Sequence, residues 1–215
     1  MSVRTLIKFL KIPYKYYRSN SFQKLLYKKL ILEILAEKMG LELLFFTDIP
    51  KKNFLEEPLI KDLLRHFPIS ELKSSLDRKF VLSQLLKYTI KLDGDYIECG
   101  VFKGASAYIM SRFIDLHNLN KNIHLVDSFE GLSEPNPQVD GTYWKAGDLK
   151  AHILNPILFN YKFVNVYKGW IPYVFNLLPA DIKISFAHVD VDLYEPTRDS
   201  LLFILPRLEN GGIIL

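Results

Sequence analysis

The sequence predicts an α/β domain: a parallel, doubly wound sheet with helices on both faces. Three observations carry that expectation. From Tyr96 onward, short apolar runs alternate with stretches of helical spacing. Glycines mark the first strand-to-helix turn at Gly100 and Gly104. Acidic residues then stand at the ends of later apolar runs, at Asp127 and at Asp190 and Asp192. Alternating β and α elements of this kind bury a parallel sheet between helices.

Taken in order, Leu25, Leu26, Leu30, Ile34 and Leu35 recur near helical spacing, which predicts an amphipathic helix over 21–39 ending at Gly40. Pro50, Pro58 and Pro68 then punctuate a stretch of short helices and turns. A helix is expected over 77–91, with Phe80, Leu82, Leu85, Leu86 and Ile90 on its apolar side and Asp93-Gly94-Asp95 as its stop. YIECGV opens the first strand, and a helix follows over 105–117. IHLVD at 123–127, FVNVYK at 163–168 and ISFAHVDVD at 184–192 read as strands two to four, with a loop-rich insertion around 129–150. Pro196 suits the first turn of a helix running to about Glu209. Gly211 and Gly212 are expected to turn the chain into a fifth strand at Ile213. The organisation expected is a helical extension over 1–76 and an α/β domain over 77–215.

Composition narrows the setting. No apolar run approaches the ~18 residues that a membrane helix needs. A single cysteine, Cys99, rules out an internal disulfide framework and favours a reducing, cytoplasmic compartment. The net charge of +4 is uneven: residues 1–32 carry eight basic side chains and no acidic one, leaving a net −4 over the remainder. Such an arm suits an anionic membrane surface, a nucleic acid or a phosphorylated substrate, or is a helical extension with solvated lysines. The interleaved Tyr14, Tyr16, Tyr17, Phe22 and Tyr27 favour the last.

Three motifs bear on chemistry. Glu98-Cys99-Gly100 with Gly104 is a close-approach turn, but Phe102 and Ala105 stand where a nicotinamide fingerprint needs glycine. An acidic residue before that turn suits a cationic ligand; otherwise it is merely a tight turn. Asp127 stands where a carboxylate can accept hydrogen bonds from ribose hydroxyls, or where a helix-capping or turn aspartate would sit. Strand periodicity over HVDVDLYEP places Asp190 and Asp192 on one side, where paired carboxylates can hold a hard cation and take a proton from a hydroxyl. His188 lies on that side too, and reads as a hydrogen-bonded structural residue.

YIECGVFKGAS, VDSFEGL, YKGWIP and HVDVDLYEPTRDSL together resemble the macrocin O-methyltransferase family over residues 70–215. The resemblance implies a class I, Rossmann-like methyltransferase fold, S-adenosylmethionine (SAM) as methyl donor, Mg2+, and a sugar hydroxyl of a glycan or glycosylated metabolite as acceptor. It implies that Glu98, Gly100 and Gly104 line the methionine end of SAM, that Asp127 and Ser128 hold the nucleoside, and that Ser106 also belongs to the cofactor-binding set. It gives Asp190 as metal ligand and Asp192 as general base. In that family the fifth strand runs into an Asp-Asp-Tyr segment with further metal ligands, whereas this sequence stops at Leu215, so a C-terminally truncated sheet with poor turnover is expected. A non-catalytic SAM-binding remnant and a nucleic-acid methyltransferase are the alternatives. The latter ranks last for want of base-methylation motifs, and no nucleic-acid partner is expected. Self-association and membrane contact through the basic arm stay open.

Overall fold

A computed structural model of the chain describes residues 57–68, 72, 76–151 and 153–215. The basic arm and the helix expected over 21–39 lie outside these residues. Residues 50–215 form one compact unit.

Helix α1 spans Pro58–His66, with proline in its first turn, where a missing N–H costs nothing. Helix α2 spans Leu76–Leu85 and continues as a 3-10 turn over Leu86–Thr89. Its buried side differs from the expected stripe. Leu76, Leu82 and Leu86 are buried, but Lys79 and Ser83 share that side, while Phe80, Leu85 and Ile90 are half-buried.

Strand β1 (Asp95–Cys99) leads into α3 (Ala105–Leu116), β2 is Ile123–Asp127 and β3 is Val164–Lys168. Strand β4 is Ile184–Val189, α4 is Tyr194–Ile204 and β5 is Leu208–Ile214. The five strands are parallel, in the order β3-β2-β1-β4-β5. The chain winds outward from β1 to β3, then crosses back to lay β4 on β1's other side. The strand order therefore reverses between β1 and β4, and a crevice opens beyond their carboxyl ends.

Two boundaries depart from the sequence expectation. Strand β4 stops at Val189, three residues early, because Asp192 takes φ 61° and the chain folds over it with Leu193 N–H donating to Val191 O at 2.7 Å. Gly211 and Gly212 lie inside β5 instead of preceding it. Between the pairs Ile184–Leu208 and Phe186–Ile213, β4 advances two residues and β5 five, so the glycines form an irregularity in the strand. Gly211, at φ 85°, supplies the conformation that such a bulge requires.

One face of the sheet packs Ile97, Cys99, Val126, Ile184 and Ala187 against Val174, Phe175, Leu178 and Ile204. The other face carries Tyr96 and Phe186 edge to face at 5.7 Å, with the Tyr96 hydroxyl 2.7 Å from Thr89 Oγ1. Full burial of such side chains stabilises by about 1.5–3 kcal/mol each. Burial also pushes the Cys99 thiol up to about 12, which makes it an inert core residue.

Candidate active site

A cleft of about 530 Å³ lies beyond the carboxyl ends of the strands. That is within the roughly 300–1,000 Å³ of sites that take cofactor-sized ligands. Of the residues singled out in the sequence, Gly100, Asp127, Ser128, Asp190 and Asp192 line it. Glu98, Gly104 and Ser106 are buried behind it.

The glycine turn is built by two constraints. Gly100 takes φ 84°, and a Cβ there would overlap the Asp190 carbonyl. Only glycine lets the ends of β1 and β4 approach this closely. Gly104, at φ 90°, begins α3 and packs on Leu158, which a side chain there would displace.

Asp127 ties this turn to β2. Its carboxylate accepts N–H bonds from Val101 (2.7 Å), Phe102 (2.9 Å) and Phe129 (2.7 Å). An ionised carboxylate has about four acceptor positions, so three of them go to the chain's own backbone. Ser128 Oγ accepts from Glu130 N–H at 3.1 Å and donates to Gly131 O at 3.0 Å, which shapes the loop after β2. These residues give the cleft its floor.

Glu98 and His188 face each other across β1 and β4, with His188 Nδ1 at 2.9 Å from Glu98 Oε1. His188 is thus hydrogen-bonded and buried, as its lone position suggested. Glu98 is 1% exposed, and its Oε2 has no partner among the described residues. Burial pushes its carboxyl up, against the opposing pull of His188 and Lys79. Lys79 is 7% exposed, and burial lowers its pKa, while the charges of Glu98 and Asp190 resist.

At the end of β4 the carboxylates are differently placed. Asp190 is half-buried, with Arg78 Nη1 of α2 at 3.7 Å from its Oδ1. Asp192 occupies the tight turn described above, a left-handed conformation that is strained for a non-glycine residue. The extended alternation expected for HVDVD therefore breaks before Asp192, yet both carboxylates still reach one cleft. Although Asp192 is exposed as a residue, desolvation of its carboxyl raises the pKa first and the Asp190 charge raises it further, with Arg78 opposing. Two like charges without a full counter-charge suit a cation or a proton. Among the described residues, no group of three or more His, Cys, Asp or Glu could hold a metal ion. Mg2+ often takes only one or two carboxylates and fills its remaining positions with water and substrate oxygens, a mode that needs no such group.

Sequence reasoning passed over several residues here. Arg78 and Lys79 reach the site from α2. Lys79 sits three residues from both Leu76 and Leu82, so helical spacing alone would have placed it on the buried side. The cleft is also lined by Phe102, Leu149, Trp170 and Tyr173, the last two 43% and 77% exposed. Exposed aromatic and apolar side chains around a polar cleft mark a binding surface.

Comparisons with known proteins bear on the fold and the family. Over 140 residues the chain is 29% identical to demethyldecarbamoylnovobiocin O-methyltransferase of Streptomyces niveus, covering 57% of this chain and 51% of that one. Over 138 residues it is 26% identical to 8-demethyl-8-(2,3-dimethoxy-alpha-L-rhamnosyl)-tetracenomycin-C 4'-O-methyltransferase of Streptomyces olivaceus, with the same coverage. The chain thus spans about half the length of the curated relatives it matches. Among solved structures, the calicheamicin methyltransferase CalS11 superposes with a TM-score of 0.57 at 21% identity, covering 79% of each chain. The O-methyltransferase NovP gives 0.53 at 23%, covering 65% of this chain and 63% of that one. The fold is that of these methyltransferases. The model of the macrocin O-methyltransferase (TylF) family matches residues 81–215, and the chain belongs to that family.

Proposed function

We propose that the protein transfers a methyl group from SAM to a sugar hydroxyl of a glycosylated small molecule. The observation that carries this reading is one cleft with two unlike halves. Gly100, Asp127 and Ser128 form a close-fitting floor, and next to it Asp190, with Arg78 at 3.7 Å, and Asp192 present their carboxylates to the same cleft. The names of the relatives from the two Streptomyces species support O-methyl transfer, and one specifies a rhamnosyl acceptor.

In this reading the adenosyl group lies on the glycine turn, and the fourth acceptor position of Asp127 takes a ribose hydroxyl. Glu98, Gly104 and Ser106 act from behind, fixing the turn on which the methionine end rests. The acceptor sugar lies between the carboxylates and the wall of Trp170 and Tyr173. Its oxygen attacks the sulfonium methyl; the C–O bond forms as the C–S bond breaks, and the electron pair stays on sulfur. Asp192, held strained and partly desolvated, takes the hydroxyl proton. Alignment of the two reactants in one cleft supplies much of the acceleration. Asp190 is the proposed Mg2+ ligand, with Asp192 beside it; the ion, when bound, would lower the hydroxyl's pKa. A cytoplasmic setting remains part of the proposal, resting on the lone buried Cys99.

Titration calorimetry with S-adenosylhomocysteine tests the cofactor half. The chain should bind it, and Gly100→Val and Asp127→Ala should each weaken binding. Affinity unchanged in both variants would remove the ligand from this turn.

A further inference from the structure

Helix α4 follows directly on the Asp192 turn, and its start is built in an unusual way. The N-cap position is Leu193, whose side chain has no acceptor to offer the first turn. Of the donors left over there, Leu193 N–H goes back to Val191 O at 2.7 Å, and Pro196 has none. Tyr194 N–H donates instead to Asp140 Oδ1 at 2.7 Å, across 54 positions of sequence. Asp140 belongs to the insertion between β2 and β3. Its other oxygen, Oδ2, accepts from Asn136 N–H at 2.8 Å. The insertion is closed at its base by Leu132 N–H to Asp148 O (2.8 Å) and Gly147 N–H to Leu132 O (2.9 Å). Leu132, Ser133 and Leu149 of the same segment line the cleft.

We propose that Asp140 is a positioning residue. Its carboxylate caps α4 from a distant loop and thereby locks the strained Asp192 turn in register with the cleft wall. A left-handed aspartate persists only where its surroundings over-determine it. Gly100 and the Asp190 carbonyl fix one end of the 190–193 segment, and the Asp140 cap fixes the other. The cap also joins the loop's order to that of the turn, so a site with the loop displaced is a site with Asp192 misplaced. The kinetic half of this inference rests on the methyl-transfer reading above.

The test compares Asp140→Ala, Tyr194→Pro, their double variant and Tyr194→Ala in the full chain. Proline at the first helical position deletes the N–H while suiting the helix start, and the extended Leu193 (φ −104°, ψ 152°) already suits a following proline. Tyr194→Ala removes the same side chain and keeps the N–H. Amide exchange of peptides covering 129–150 and 190–198 should rise by about fivefold in Asp140→Ala and Tyr194→Pro, the scale of a lost cap. The double variant should match the singles, and Tyr194→Ala should match the unmodified protein. In methyl transfer, kcat should fall about tenfold or more in the same two variants, while S-adenosylhomocysteine affinity stays constant. Exchange that rises in Asp140→Ala but not in Tyr194→Pro would confine Asp140 to its own loop and overturn the proposal. Faster exchange with kcat unchanged would make the cap structural only and also overturn it. If the unmodified protein lacks turnover, amide exchange alone decides the positioning role, and protection of 190–198 that is unchanged in both variants overturns it; the methyl-transfer reading is then judged separately, by S-adenosylhomocysteine binding.

Discussion

The charged residues of β1 and β4 are matched at the amino end of the sheet and left incompletely matched at its carboxyl end, where Asp127 of β2, with its three backbone bonds, is the exception. At the amino end, Asp95 accepts Asn122 N–H at 2.8 Å and holds His124 Nε2 at 2.9 Å, and His124 Nδ1 meets the Tyr167 hydroxyl at 3.2 Å. Lys121 donates there to Leu92 O, Gly94 O and Ser185 Oγ. Each group is matched to a partner on a neighbouring element. At the carboxyl end, Glu98 Oε2 has no partner among the described residues, Asp190 meets Arg78 at 3.7 Å, and Asp192 sits strained beside a like charge. A matched polar group holds the fold together, whereas an unmatched one is kept at a cost and so marks the place where a ligand completes the set.

The largest expected effect would break this contrast at its strained end. Asp192→Asn should lower kcat of methyl transfer by roughly 10²–10⁴ if the residue is the general base, with Mg2+ affinity nearly intact. Asp190→Asn should instead weaken Mg2+ binding, with activity partly restored at high Mg2+. A magnesium titration of both variants under saturating SAM, with metal binding measured directly, separates the roles. If Asp192→Asn is the variant that magnesium restores, the assignments are reversed.

Next in size is the joint between the two halves of the cleft. Gly100→Ala forces a side chain into a left-handed position and against the Asp190 carbonyl, so the ends of β1 and β4 must part. A loss of about 3 kcal/mol is expected, seen as a lower midpoint in denaturant unfolding. A loss under about 1 kcal/mol would mean that the two strand ends are not held as closely as this.

The smallest effect belongs to the amino end. Burial works against the Asp95 carboxylate, but hydrogen bonds from His124 and Asn122 outweigh it and hold its carboxyl below the ordinary value of 3.8. A depressed carboxyl contributes stability that is present above its unfolded pKa and is lost as pH falls through the folded one. Asp95→Asn should therefore cost on the order of 1 kcal/mol at pH 7 and close to nothing once pH is well below 3.8. Unfolding curves at neutral and acid pH check this. A penalty that persists in acid would show that the ionised form is not what stabilises.

By itself, the sequence determined the β/α alternation, the glycine turn after β1 and the acidic residues at the strand ends, because these are written in local periodicity and in backbone conformations that favour glycine. It placed the end of β4 three residues late and turned the glycines of β5 outside their strand, because apolar alternation does not register a left-handed aspartate or a bulge. It marked Asp127 as a ribose-binding or turn residue without showing that its carboxylate also ties the turn after β1, since two of its three backbone donors, Val101 and Phe102, belong to another strand end while only Phe129 is local. Only the tertiary structure paired Glu98 with His188, brought Arg78 and Lys79 of α2 to the site and carried Asp140 to the start of α4. Each of these contacts depends on strand register or on the path of a long loop, which are settled by how the whole sheet packs rather than by neighbours in sequence.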